Sequence, residues 1–95
     1  MAGATRPVAT PFTLYSRSWC HLCEDLLAAL MALPGSAGFA VDVIDVDADP
    51  ALEARFNERV PVLFGNLAEP ELCHYFLDSA AVERYLAACA PRQIG

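Results

Sequence analysis

Apolar and polar positions along the chain fall into segments of two different periods. Phe12-Thr13-Leu14-Tyr15-Ser16 alternates aromatic or aliphatic with hydroxyl side chains, which predicts a strand. After Arg17-Ser18-Trp19, Leu22, Leu26, Leu30 and Leu33 recur at helical spacing, with Leu27 and Met31 widening the stripe. That helix opens at Cys20-His21-Leu22-Cys23. It carries Glu24 and Asp25 in its first turn, where acids suit the positive end of the helix dipole, and Pro34-Gly35 stops it. Phe39 to Val46, rich in Val, Ile and Phe, reads as a strand buried on both faces, although Asp42 and Asp45 interrupt it. Asp49-Pro50 supplies an N-cap and a proline at the first helical position of a short helix running to about Asn57. Val60 to Phe64 is apolar enough for a central strand. Pro61 cannot donate to a ladder, so it belongs at that strand's start. Gly65-Asn66 marks a turn, and Leu72 to Phe76 reads as the returning hairpin strand. Asp78 or Ser79 caps a last helix with Val82, Tyr85, Leu86 and Cys89 on its inner face, ended by Pro91. Residues 1–10 show no periodicity and read as a flexible N-terminal arm, which leaves 11–95 as the domain.

The predicted order is β-α-β-α-β-β-α. Its first half demands a parallel pair with a right-handed crossover, and its second half a hairpin. A mixed four-stranded sheet covered by helices, of the α/β class, satisfies both. Ninety-five residues allow one domain, and a composition 56% hydrophobic and 19% charged excludes a disordered tail. Six arginines and no lysine face twelve acids, for a formal charge of −6. That balance argues against nucleic acid and against a polybasic membrane anchor. The longest uncharged stretch, Leu26 to Val41, is too short to span a bilayer and is broken by Pro34, Gly35 and Gly38. The first residues show no apolar signal region, so a cytoplasmic monomer with neither membrane nor nucleic-acid partner is expected.

Of four cysteines, two form Cys20-His21-Leu22-Cys23, and Cys73 and Cys89 lie far downstream. In a reducing compartment a C-x-x-C motif points to redox chemistry or metal. A strand ending just before it, with the first Cys opening a helix, has a physical consequence. Unpaired backbone N–H groups and the positive helix end stabilise an anion at Cys20. A thiol so placed titrates roughly between 3.5 and 7.5, against about 8.5 when free. The thiolate is the nucleophile of disulfide exchange, so Cys20 would attack and Cys23, one turn deeper, would resolve the mixed disulfide. Arg17 supplies a fixed cation ahead of the nucleophile, and a protonated His21 would act in the same direction. Trp19 is expected to pack beside the loop and offer an apolar contact to a substrate protein.

From Phe12 to about Cys89 the chain resembles the glutaredoxin-like proteins of the thioredoxin superfamily. The segment Tyr15-Ser16-Arg17-Ser18-Trp19-Cys20-His21-Leu22-Cys23 is similar to their strand-to-redox-motif region, and Arg17 stands where many glutaredoxins place a Lys. Val60-Pro61 resembles their Val-Pro signature, and the Asp45-Val46-Asp47 strand end followed by Asp49-Pro50 is similar to small bacterial members. The resemblance implies a thioredoxin-like fold, and a cis-proline loop facing the cysteines in which Val60 holds the substrate's backbone. It implies a thiol-disulfide oxidoreductase with no bound cofactor beyond the dithiol. Substrates would be disulfide-bearing proteins or glutathione-type molecules, with glutathione or a thioredoxin-type reductase restoring the dithiol. Departures accompany it. Glutathione-using members carry a Gly-Gly turn and a polar pair before the final helix, where this chain reads Glu69-Pro70-Glu71-Leu72-Cys73-His74-Tyr75-Phe76-Leu77-Asp78. Asp78 alone suits the glutathione amine, Leu14 replaces the buried acid of thioredoxins, and Trp19 is thioredoxin-like.

Two other classes remain open on the sequence: a binding module using the Val60-Pro61 groove without turnover, and a small metal-binding domain. Cys20, Cys23, Cys73 and His74 are acceptable ligand types. Yet the gap from Cys23 to Cys73 is unlike a zinc ribbon, and adjacent Cys73 and His74 should point to opposite faces of a strand. No metal is expected. Cys73 and Cys89 read as small buried hydrophobes, and His74 as a strand residue with a satisfied hydrogen bond. Asp42, Asp45, Asp47 and Asp49 lack the glycine and final Glu of a calcium loop and read as a solvated strand end and helix cap.

Overall fold

The computed structural model describes residues 9–89. Of the expected arm over residues 1–10, residues 1–8 lie outside them, as does the stop at Pro91, while Thr10 already opens the first strand. Strand β1 (Thr10–Ser16) leads into helix α1 (His21–Met31), and β2 (Phe39–Asp45) follows. Helix α2 (Pro50–Phe56), β3 (Val62–Phe64), β4 (Cys73–His74) and α3 (Ser79–Cys89) complete the chain, with short 3-10 turns at Ser36–Gly38, Val46–Ala48 and Asn57–Arg59. The sheet order is β2-β1-β3-β4. Strand β1 pairs parallel with β2 and antiparallel with β3, and β3 pairs antiparallel with β4.

The period-two pattern of β1 divides the core between the two faces of the sheet. Phe12 and Leu14 meet Leu26 and Leu30 of α1, Leu63 of β3 and Val82 of α3. Tyr15 on the opposite face joins Val62, Phe64, Val46 and Phe56 of α2. There the Tyr15 ring stacks on Phe56 at 4.4 Å and meets Phe64 edge-on at 5.7 Å. The helices are capped as their sequences require. Asp49 Oδ1 accepts the Ala51 N–H at 2.9 Å, with Pro50 at the first turn, and Asp78 Oδ1 accepts the Ala81 N–H at 3.1 Å. From the middle of α3 the Tyr85 hydroxyl donates to the Pro11 carbonyl at 2.6 Å. The Tyr85 ring lies so close over Gly65 that an added Cβ would sit 2.6 Å from it.

Several expectations are corrected. The second strand is not buried on both faces. β3 takes the far side of β1, so β2 is an edge, and Asp42, Val43 and Asp45 face solvent. On α1 the buried face is Cys23, Leu26 and Leu30. Leu22, one residue off that face, is 37% exposed, and Met31 is exposed as well. The return strand is only Cys73–His74, because Tyr75 enters the left-handed region at φ 66° and turns the chain away, leaving Phe76 exposed. Cys89 is exposed rather than inward. Tyr85 already reaches Pro11 at the start of the sheet, so a residue one turn later lies beyond what the helix covers. This is the thioredoxin-like architecture, with β1, α1 and the β3 approach meeting at one end.

Candidate redox site

At that end β1 finishes at Ser16, and Arg17-Ser18-Trp19 reverses the chain. Trp19 adopts a left-handed backbone at φ 62°, which turns its side chain outward. Contrary to the expectation that it packs beside the loop, Trp19 is 98% exposed. Cys20 then caps α1: its Sγ accepts the Cys23 N–H at 3.1 Å, and its carbonyl accepts the Glu24 N–H at 3.2 Å. The Cys23 N–H, which would otherwise be unpaired at the helix start, is therefore taken up by Cys20. Cys20 and Cys23 are disulfide-bonded, with Cα atoms 5.2 Å apart. The pair is asymmetric: Cys23 is buried in the core with Val60 and Phe56, whereas Cys20 is half-buried. Cys20 is therefore the more accessible residue of the two. In the reduced pair that N–H and the positive helix end favour a thiolate there.

Val60 belongs to the core cluster against which Cys20 packs. The Val60–Pro61 peptide bond is cis, Pro61 is fully buried, and the β3 ladder begins only at Val62. The Tyr75 N–H donates to the Pro61 carbonyl at 2.9 Å, tying this loop to the turn after β4. Glu71 braces it from the side, bonded to Arg59 and, through Oε2, at 2.6 Å to His74 Nδ1.

The remaining sequence candidates are placed as follows. His21 is the exposed first residue of α1. Arg17 lies near Cys20, but its Nε donates to both oxygens of Asp47 at 3.1 and 3.2 Å. In the sequence Asp47 belongs to an acidic run, and no local pattern links it to a residue thirty positions away. Asp45 Oδ1 accepts the Asp47 N–H at 2.9 Å, so the acids serve turns and this ion pair. Cys73 packs against the core, and burial pushes its thiol up, away from nucleophilic character. Among the described residues no group of three or more His, Cys, Asp or Glu side chains is placed to hold a metal ion. Nor is any of their helices long and apolar enough to cross a membrane.

A family model described as "Glutaredoxin-like domain (DUF836)" matches residues 12–87, a span that includes both cysteines and Val60-Pro61. No curated protein matches the chain. Among solved structures, the solution NMR structure of protein Ne2328 from Nitrosomonas europaea is 40% identical, with a TM-score of 0.69, over 90% of this chain and 98% of that one. The X-ray structure of protein XcR50 from X. campestris is 36% identical, with a TM-score of 0.62, over 84% of this chain and 99% of that one. With the fold, the helix-capping dithiol and the matched span in agreement, the chain belongs to the glutaredoxin-like domain family.

Proposed function

We propose that the protein is a thiol-disulfide oxidoreductase acting on disulfides in proteins or small molecules. One observation carries this reading: a half-buried Cys20 at a helix N-cap, its sulfur facing the Cys23 N–H and bonded to a buried Cys23. In the reduced enzyme the Cys20 thiolate attacks a substrate sulfur. A Cys20–substrate mixed disulfide forms, the substrate's S–S bond breaks, and one substrate thiolate leaves. Cys23 then attacks Cys20 Sγ, releasing the second substrate thiolate, and its proton passes to a departing sulfur. Two electrons have moved from the dithiol to the substrate. A thiol donor, glutathione or a thioredoxin-type reductase, returns the pair to the dithiol. In this reading Val60-Pro61 shapes the substrate groove, Arg17 and His21 tune the thiolate, and the protein works as a cytoplasmic monomer without a bound cofactor.

The test is stoichiometric reduction of a disulfide substrate by pre-reduced protein. Cys20→Ser abolishes it, and Cys23→Ser accumulates a mixed disulfide on Cys20. Equal, full activity in both variants, or no exchange by the wild type, contradicts the reading and favours a binding module.

A further inference from the structure

Glu71 stands where two short segments beside the dithiol meet. Its Oε1 accepts from the Arg59 guanidinium, and its Oε2 accepts from His74 Nδ1 at 2.6 Å. Arg59 directly precedes Val60-Pro61, and His74 directly precedes Tyr75, whose N–H holds the Pro61 carbonyl at 2.9 Å. The two segments run side by side because Val62, where β3 begins, pairs with His74, where β4 ends. Phe76 N–H donates back to the His74 carbonyl at 2.7 Å, closing a three-residue turn with Tyr75 at φ 66°. That is the rare and strained form of such a turn. A non-glycine residue in the left-handed region persists only where its surroundings over-determine it. Two bonds flank Tyr75: its own N–H to Pro61, and the side chain of His74 to Glu71. Val60 and Pro61 are buried, so packing fixes the inner side of their loop. On the outer side the hub is Glu71, whose side chain is 20% exposed against 49% for Arg59 and 42% for His74.

We propose that Glu71 is a positioning residue of the redox site. Through Arg59 and His74 it locks the Val60-Pro61 loop and the Tyr75 turn into one docking wall for a polypeptide disulfide. The inference rests on the oxidoreductase reading and concerns how that site takes its substrate. Val60 packs in the same cluster as Cys20, so the wall stands directly beside the nucleophile. Glu71 itself lies outside the lining of the groove that holds Cys20, so it acts on the wall and leaves the thiolate alone. An extended peptide draws its affinity from backbone hydrogen bonds, which require the protein's own backbone to be held in place. A small disulfide has no such backbone and gains nothing from the wall.

The test compares pre-reduced wild-type and variant protein, in single turnover, with a disulfide-bonded peptide and with uncharged dipyridyl disulfide. Glu71→Ala is expected to slow the peptide about two- to tenfold in second-order rate, the worth of one hydrogen bond. The loss falls on the peptide concentration giving half-maximal rate, while the limiting rate and the rate with dipyridyl disulfide hold. Glu71→Gln is expected to restore most of the peptide rate. Its amide oxygen still accepts from Arg59, and its N–H donates to the other tautomer of His74. Arg59→Gln, at a more exposed position, cuts the same brace from the other side and should show the same split between substrates. Equal peptide rates for wild type, Glu71→Ala and Arg59→Gln overturn the proposal and leave the oxidoreductase reading standing. So does an equal loss with both disulfides, which marks a general loosening of the fold. Failure of the wild type with both disulfides overturns that reading and the proposal with it.

Discussion

Arg17 Nε donates to both carboxylate oxygens of Asp47, so the cation preceding the redox motif is shared with an acid thirty residues away. Arg17 shares the groove beside the disulfide with Cys20, and either member of the ion pair can be removed separately.

Arg17→Gln is expected to raise the Cys20 thiol pKa, because it removes a cation that favours the thiolate. Asp47→Asn is expected to lower it by freeing that cation. The ion pair is partly exposed, and such pairs contribute about 0.2–1 kcal/mol. Each shift should therefore stay under about one unit. The pH dependence of Cys20 alkylation in the two variants measures both signs. Shifts of the same sign would exclude an electrostatic role for the pair.

Glutathione is expected to be a poor donor. In place of a Gly-Gly turn the chain has His74-Tyr75-Phe76, with Tyr75 held against Pro61 by its N–H and the Asp78 carboxylate engaged as the cap of α3. The rate of reduction of the oxidised protein should rise linearly with glutathione concentration. Efficient, saturable turnover would contradict this.

Tyr85 joins the middle of α3 to the start of β1 through Pro11 and covers Gly65. Gly65→Ala is expected to destabilise the fold by about 1–3 kcal/mol through overpacking, read from the denaturant midpoint. Burial, followed by the hydrogen bond to Cys89, pushes the Tyr85 phenol up to about 12, above the ordinary value of 10. Because the folded pKa is raised, this stabilisation is complete below pH 10 and is lost as pH rises from 10 through 12. The chain has no lysine to titrate in that window. Phenolate absorbance should show a last step near pH 12 that Tyr85→Phe abolishes.

The features legible in the sequence were local ones. Asp49-Pro50 and Asp78 announced their helices because caps act within one turn, and the strand before Cys20 placed that cysteine at a helix start. The parallel β1–β2 pair and the β3–β4 hairpin followed from connection rules. What escaped the sequence depends on neighbours distant along the chain. Phe39–Asp45 has an apolar composition suited to the interior, but its edge position is decided by β3 choosing the other side of β1. Helical spacing alone does not choose between Leu22 and Cys23 for the inner face, because the two differ by one residue's rotation. Trp19 follows a backbone turn that composition does not reveal. Asp47 gains meaning only once β2 and the following turn are folded against β1, where it meets Arg17.

The central claim is that Cys20, capping α1, is the low-pKa nucleophile. Its most direct test is the pH dependence of alkylation of the fully reduced protein, with the modified residue located by mass spectrometry. Cys20 is expected to react first, with an apparent pKa between roughly 3.5 and 7.5, while Cys23 and Cys73 stay protected. A Cys20 that titrates near about 8.5, as a free thiol does, or a Cys23 that reacts before it, would contradict the account.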